Sequence, residues 1–159
     1  MEQILQMVSG SELFSLLDVF SGYNQVLVAE QDRLKTTFRT KWWAFAYRNM
    51  HFGLINTGAT FQRAMDIVFH CLIGYGVVVY LDDVTVFSKK REEHIFHLRQ
   101  IFYRCRKYVI SLNPKKCVFV VLEGNLLGHI ISKKGISIDL ERIKAIEQIP
   151  LLHNKKGMQ

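Results

Sequence analysis

Two adjacent carboxylates interrupt an otherwise apolar run, Val77-Val78-Val79-Tyr80-Leu81-Asp82-Asp83-Val84-Thr85-Val86-Phe87. The β-branched and aromatic residues on each side favour strands, and the short polar interruption reads as the tip of a β-hairpin. Neighbouring aspartates repel one another, which costs stability unless cations share the site, and hard, oxygen-coordinated Mg²⁺ suits such a pair. An ordinary acidic turn is the other reading, because Asp is favoured in turns for purely local reasons. A third carboxylate shifts the balance. Asp18 closes the apolar run Leu13 to Leu17 and is followed by Val19-Phe20-Ser21-Gly22-Tyr23-Asn24-Gln25. A strand ending at Asp18 beside a hairpin tipped by Asp82 and Asp83 brings carboxylates from separate strands together. Phosphoryl transfer with two metal ions roughly 3.5 to 4 Å apart needs such an arrangement.

With 159 residues, 49% of them hydrophobic, the chain can bury one substantial core. No stretch approaches the roughly 20 uncharged apolar residues of a membrane span, and the N-terminus lacks a signal-peptide pattern. The expectation is a single soluble intracellular domain with no membrane partner. Cys71, Cys105 and Cys117 are widely spaced without paired metal-ligand spacing, as expected of reduced thiols in or near the core. The net charge is +7. Up to Tyr80 there are six basic and six acidic residues; beyond it there are fifteen and eight. Clusters such as Lys89-Lys90-Arg91, Arg104-Arg106-Lys107, Lys115-Lys116, Lys133-Lys134 and Lys155-Lys156 either track a phosphate backbone or form a solvated, solubilising surface.

Along the chain, Leu13 to Leu17 reads as a strand and Gln25 to Val28 as the start of another extended segment. Between Lys35 and Tyr47, rings and cations alternate: Lys35, Phe38, Arg39, Lys41, Trp42, Trp43, Phe45, Tyr47. They either contact nucleotide or template by stacking and charge, or pack across strands. From Ala59 to Leu72 the residues Phe61, Ala64, Met65, Val68, Phe69 and Leu72 recur at helical spacing. A second helix presents Ile95, Leu98, Ile101, Phe102, Cys105 and Val109, with Ser88 as its expected cap and Pro114 beyond its end. His94 and His97 share that helix three residues apart, but no third metal ligand is evident, so a solvated helix face is expected. Cys117 to Leu122 and Leu126 to Ile131 read as short strands joined around Glu123-Gly124-Asn125. Gly135 to Ile138 reads as another, and Asp139 as the cap of a terminal helix. Strand, helix, hairpin and helix in this order predict an α+β sheet with helices on one face.

Six motifs in order carry a resemblance. Asp18 with Ser21-Gly22-Tyr23, then Phe52-Gly53-Leu54, Ala59-Thr60-Phe61-Gln62, Tyr80-Leu81-Asp82-Asp83, Leu112-Asn113-Pro114-Lys115-Lys116-Cys117 and Leu127-Gly128-His129 follow the pattern of a reverse transcriptase. The match is closest to the gypsy class of LTR retrotransposon Pol polyproteins and runs from about Phe14 to about Lys144. The resemblance implies a palm with a ferredoxin-like antiparallel sheet over residues 1–138, including a partial fingers β segment at about 30–50, and the start of a connection to a thumb at 139–159. It implies Asp18 and Asp82 as principal metal ligands, Asp83 as the accessory carboxylate, and the backbone carbonyl of Val19 beside them. Two Mg²⁺ ions, with Mn²⁺ as a possible substitute, would serve an RNA-directed DNA polymerase acting on a primed RNA or DNA template with deoxynucleoside triphosphates. Tyr23 matches the ring that excludes a 2′-hydroxyl, Phe52-Gly53 the lining of the nucleotide pocket, and Leu127-Gly128-His129 the primer grip.

The sequence also departs from that pattern. His51 and Gly58 stand where the family usually carries prolines, and Trp42-Trp43-Ala44-Phe45 replaces a small or polar turn. Most of the fingers, nearly all of the thumb, and any RNase H, integrase or protease portion are expected to belong to a larger polyprotein. Two further readings stay open: a catalytically inactive retroelement remnant that at most binds nucleic acid, and another two-metal enzyme on a similar sheet, such as a nucleotide cyclase.

Overall fold

The computed structural model describes residues 2–147. Helix α1 (Glu2–Val8) leads into strand β1 (Leu13–Asp18), a 3-10 turn over Gly22–Gln25 and the single-turn helix α2 (Glu30–Arg33). A small hairpin, β2 (Phe38–Arg39) and β3 (Ala44–Phe45), precedes helix α3 (Thr57–Val68). Strands β4 (Val77–Tyr80) and β5 (Asp83–Ser88), helix α4 (His94–Lys107) and strand β6 (Val118–Val121) follow. The described chain ends with β7 (Glu123–Leu126), β8 (His129–Ser132), β9 (Gly135–Ile138) and helix α5 (Leu140–Glu147). Residues 148–159, and with them Lys155-Lys156, lie outside the described residues. No helix among the described residues is long and apolar enough to cross a membrane.

The main sheet has the order β4-β5-β1-β6, every neighbour antiparallel. Two β-α-β crossings interleaved this way make the ferredoxin-like α+β fold. Because side chains alternate across a strand, Leu17, Val77, Val79, Val84 and Val86 face α3 and α4, meeting Phe61, Met65, Leu98 and Ile101. Phe14, Val78 and Phe87 face the other way, onto Leu5 and Val8 of α1 and Leu126 and Ile131 of the β7-β8-β9 sheet. Both faces are therefore covered. Fully burying one such side chain contributes about 1.5–3 kcal/mol, so the central strands are the best-anchored part of the molecule.

Helix α4 departs from its expected stripe. Ile95 and Val109 are exposed, and the buried face is His94, Leu98, Ile101 and Cys105. His94 is not on a solvated face but wholly buried. Its Nε2 is joined to Ser15 Oγ at 2.8 Å and its Nδ1 to Ser88 Oγ at 2.8 Å. Ser88 Oγ also meets His97 Nδ1 at 2.7 Å, and the Val120 N–H donates to Ser15 Oγ at 3.0 Å. Satisfying both ring nitrogens makes the burial tolerable. Ser88 is thus a clasp between β5 and α4 rather than a cap; Glu93 precedes the helix, with no side-chain cap bond.

Other segments also differ from expectation. Gln25 closes the 3-10 turn, and the extended segment expected there begins at Val26 and pairs through a single bridge, Leu27 to Asn49, too short to count as a strand. Glu123 to Asn125 is strand rather than connection, and the reversal falls at Leu127 and Gly128, with φ of 54° and 80°. A two-residue turn with positive φ at both positions matches the twist of the strands it joins. Asp139 directly precedes α5, and its carboxylate accepts a hydrogen bond from Asn125 at 2.8 Å. All three cysteines are free; Cys71 is exposed, and burial pushes the Cys105 thiol up to about 11.

Burial, reinforced by neighbouring His97, holds the His94 imidazole below its ordinary value. The unfolded chain then binds a proton that the folded chain resists. This contribution to stability is complete above the unfolded value of about 6.5 and is lost as pH falls below it. The expected outcome is a melting temperature that drops between pH 7 and pH 5. His94→Gln should flatten that dependence while costing about 1–3 kcal/mol at pH 7 in denaturant titration.

Candidate active site

Antiparallel register brings the carboxylates together. Leu17 pairs with Val84 and Asp18 with Asp83, at the end of the sheet where β4 turns into β5. Asp82 is the second residue of the two-residue turn, after Leu81, whose φ of 53° is costly for a branched side chain. Gln62 of α3 holds that turn. Its Oε1 accepts from the Leu81 N–H at 2.9 Å, while its Nε2 donates to Asp66 Oδ1 at 3.0 Å and Val79 O at 3.4 Å. The Val19 N–H donates to Asp82 O at 3.1 Å, tying the end of β1 to the turn.

The segment after α4 braces β1 from its other side. The Phe20 N–H donates to Ser111 O at 3.0 Å and the Asn113 N–H to Asp18 O at 2.9 Å. Gln25 receives the Ser111 N–H on Oε1 at 2.7 Å and donates through Nε2 to Ser111 O and Phe20 O. Cys117 Sγ accepts from the Asp18 N–H at 3.4 Å. Asp18 is therefore positioned through its backbone on both sides, and its carboxylate faces Lys116.

The electrostatics are unfavourable by construction. Burial, then Asp83 and Asp18, push the Asp82 carboxyl above its ordinary value, against a smaller opposing effect of Lys116. Burial and then Asp18 do the same to Asp83, again opposed by Lys116. Lys116 Nζ lies 3.6 Å from Asp18 Oδ2. Asp82 Oδ1 is buried without a hydrogen-bond partner. It rests against Gly22, where an added Cβ would collide with it and lie 2.9 Å from Phe61 Cζ, so only glycine fits. Asp18 and Asp83 line a cavity of about 280 Å³ with Leu16, Lys116, Asn125 and Leu126. Among the described residues no three His, Cys, Asp or Glu side chains stand gathered as a ready metal-ligand set, His94 and His97 included.

Tyr23 is nearly buried, at 9% exposure, and meets Phe52 and Phe61 edge to face at 4.8 and 5.1 Å. Burial and the Asp82 charge raise its phenol above the ordinary value. Phe52 is 71% exposed. Gly53 has φ 98° with nothing near its missing Cβ, so it serves the turn rather than close packing. His51 lays its ring on Tyr47, centroids 3.6 Å apart, and Gly58 lies in the first turn of α3. Leu127 and Gly128 form the β7–β8 turn, with His129 Nδ1 3.2 Å from Leu127 O. The turn directly follows Asn125 and Leu126 on the cavity wall. The structure thus sets Asp18 opposite Asp83 and places Asp82, hydrogen-bonded through its carbonyl to Val19, in the adjoining turn near Tyr23, without gathering the three carboxylates into one ligand set. Gln62, Gln25 and Lys116 also belong to the site; the first and last stand inside recognised motifs, yet nothing in their spacing reveals what they hold.

The ferredoxin-like sheet, with carboxylates at the end of its paired strands, has the architecture of a reverse-transcriptase palm. The family model described as reverse transcriptase (RNA-dependent DNA polymerase) matches residues 2–131, and the chain belongs to that family. It is 34% identical over 151 residues to the retrovirus-related Pol polyprotein from transposon 297 of Drosophila melanogaster, covering 95% of this chain and 14% of the relative. It is 35% identical over 147 residues to the Pol polyprotein from transposon gypsy of the same organism, covering 92% and 14%. These relatives bear out the gypsy-class resemblance, and the chain spans about one-seventh of their length. A foamy viral protease-reverse transcriptase in complex with double-stranded DNA superposes with a TM-score of 0.87 at 20% identity, covering 99% of this chain and 28% of that one.

Removing the Gln62 amide would leave the Leu81 N–H without its side-chain acceptor. Gln62→Ala should cost about 1–3 kcal/mol, measured by chemical denaturation. Hydrogen exchange at Leu81 should accelerate, and unchanged protection there would show that the turn does not depend on Gln62.

Proposed function

We propose that this chain is the palm of an RNA-directed DNA polymerase, residues 1–138, with the connection to a thumb beginning at 139. The observation that carries this reading is the register of Asp18 opposite Asp83, with the partnerless, buried Asp82 oxygen in the adjoining turn. Three mutually repelling hard oxygen donors fit divalent cations, whose charge would relieve the repulsion. The fit is one of donor chemistry, since Asp82 Oδ1 faces Gly22. Asp18 and Asp82 would be the principal holders of two Mg²⁺ ions, Asp83 the accessory, and the Val19 carbonyl a further donor; Mn²⁺ could substitute. Bound there, the ions would supply charge neutralisation for the attacking and leaving oxygens.

The reaction is attack of a primer 3′-hydroxyl on the α-phosphate of a deoxynucleoside triphosphate, forming a phosphodiester as the bond to pyrophosphate breaks. The chain's own contribution is positioning, since this chemistry asks the protein for little covalent participation. The β1–β5 register fixes the carboxylates, Gln62 holds the turn, and Lys116 balances charge until substrate enters. Tyr23, wedged between Phe52 and Phe61, would lie beneath the sugar and reject a 2′-hydroxyl by bulk. The Leu127-Gly128-His129 turn, which follows Asn125 and Leu126 of the cavity wall, would steady the primer end. The primed template agrees with the nucleic acid bound by the foamy viral relative in fold. The remaining fingers, thumb and RNase H parts would come from a larger Pol polyprotein.

Single-nucleotide primer extension on an RNA template, with Mg²⁺ or Mn²⁺ and high protein concentration, tests the reading. Asp82→Asn should lower incorporation by about 10²–10³-fold, as removal of an electrostatic stabiliser does. The same variant should melt at a higher temperature in chelator, because it removes a repelling charge. Incorporation unchanged in that variant would sink the mechanism, and no incorporation by folded parent protein would reduce the function to nucleic-acid binding. Tyr23→Ala should admit ribonucleotides, with discrimination between the two sugars, measured as a ratio of kcat/KM, falling at least tenfold.

A further inference from the structure

Bulk rejects a hydroxyl only where the bulky group cannot move. An apolar wall separates ligands that differ by one hydroxyl by about 10²-fold, and a displacement of about 1 Å costs a comparable factor. The packing on the Tyr23 ring is uneven. Phe61, on one side, is fully buried, whereas Phe52, on the other, is exposed and precedes Gly53 at φ 98°. The turn that carries the ring, Gly22–Gln25, follows Ser21 in a left-handed conformation with φ 47°. Its internal hydrogen bonds, Asn24 N–H to Ser21 O at 2.8 Å and Val26 N–H to Tyr23 O at 3.1 Å, keep it curled without tying it to another element. Two further bonds, Asn49 Nδ2 to Asn24 O and Met50 N–H to Val26 O, both 2.8 Å, lead to the strap that carries Phe52.

Gln25 joins the turn to the sheet. Its carboxamide meets Ser111 at two points, Oε1 accepting from the N–H at 2.7 Å and Nε2 donating to the carbonyl at 3.0 Å. A side chain thus supplies the pairing that a neighbouring strand would make. Nε2 also donates to Phe20 O, which closes the loop between the end of β1 and the end of the turn. Ser111 is itself fixed. Its carbonyl accepts from the Phe20 N–H at 3.0 Å, Leu112 beside it bridges Val19, and the Asn113 N–H donates to Asp18 O at 2.9 Å. Gln25 therefore ties Tyr23 to the same backbone that fixes Asp18. Chemistry narrows the residue that can do this: a carboxamide presents acceptor and donor side by side in one plane, an ionised Glu only accepts, and Asn is one methylene short.

We propose that Gln25 is a positioning residue for sugar discrimination: by clamping the Tyr23 turn to Ser111 it sets where the Tyr23 ring stands relative to the carboxylates, and with it the space left for a 2′-hydroxyl. This rests on the polymerase reading of the site. Gln25 contacts no reacting atom and acts through Tyr23. The segment after α4, on the opposite side of β1 from the hairpin turn, thereby takes part in choosing the sugar.

The test is single-nucleotide primer extension by the full chain with each sugar, giving kcat and KM separately. The variants are Gln25→Met, which keeps the length and removes every side-chain hydrogen bond, and Gln25→Glu, which keeps the acceptor and removes both donated bonds. Discrimination, the ratio of kcat/KM for deoxy- over ribonucleotide, should fall about tenfold in each. Tyr23→Ala/Gln25→Met should discriminate no worse than Tyr23→Ala, since the group through which Gln25 acts is gone. A purely structural role would lower incorporation of both sugars by one factor and leave the ratio alone, and that result would overturn the proposal. A second readout needs no catalysis. With fluorotyrosine in place of tyrosine, the fluorine resonance of Tyr23, assigned by its absence from Tyr23→Phe, should shift or broaden in Gln25→Met while Tyr75 and Tyr103 keep theirs. An unmoved Tyr23 resonance in the folded variant would likewise overturn the proposal. If the folded parent incorporates neither sugar, the polymerase reading falls, and the resonance alone decides whether Gln25 positions Tyr23.

Discussion

Asp18 and Asp83 are opposite one another because β1 and β5 pair in unbroken antiparallel register from Leu13 with Ser88 to the last residue of β1. Like charges directly across a strand pair oppose sheet formation, by up to about 1 kcal/mol for an exposed pair. What overrides them is the apolar pairing immediately behind. Leu17, Val84 and Val86 are buried against α3 and α4, and a shift of one residue would turn that set to the other face. The carboxylates are thus held together by residues that never touch them. Asp82, outside the register, is restrained by the turn itself, with Leu81 in a left-handed conformation and Gln62 on its N–H. Strain, unpaired charge and an orphaned oxygen gather within three consecutive residues, while the strands leading there are regular. Such concentration of local cost accords with the catalytic role proposed for these residues.

Long-range polar clasps make the surrounding frame rigid. Gln25 to Ser111, Asp18 to Asn113, and the Ser15–His94–Ser88 network each join segments that only the folded sheet makes neighbours. The His94 network lies one strand-length from the carboxylates and fixes α4 against β1 and β5 at the end remote from the turn. Between these clasps the β1–β5 pair has little freedom to slide. The proposed reaction, which requires two substrates to be positioned relative to the carboxylates, would benefit directly, since reactivity falls steeply with misplacement.

Positive charge is distributed by purpose rather than by total. Lys116 sits at the carboxylates, and several lysines and arginines of the second half are spent on helix ends and ion pairs. Arg39, Lys41 and Arg48 make no ion pair among the described residues, and their segment carries the exposed rings of Trp42 and Trp43. His51, where the family usually has proline, lays a ring on Tyr47 instead of supplying a fixed φ. The loop's departure from the family pattern therefore has a structural counterpart.

Local pattern determined much of this molecule. The β-branched apolar runs on either side of Asp82 and Asp83, the apolar run into Asp18 and the helical spacing from Phe61 to Val68 each specify an element by themselves, and six ordered motifs identify the family. Their agreement predicted the α+β palm and the residues that meet at the end of its sheet. What only the tertiary structure decided are the pairings that cross the chain. His94 reads as a surface residue until Ser15, 79 positions away, satisfies its ring; Gln62 reads as a helix residue until the hairpin turn docks on it. The exposure of Trp42 and Trp43 was open as well, since a ring in a short strand is core or contact according to what covers it. Hydrogen-bond partners and burial depend on which segments the sheet order brings side by side, and that order is a property of the whole chain, not of any window along it.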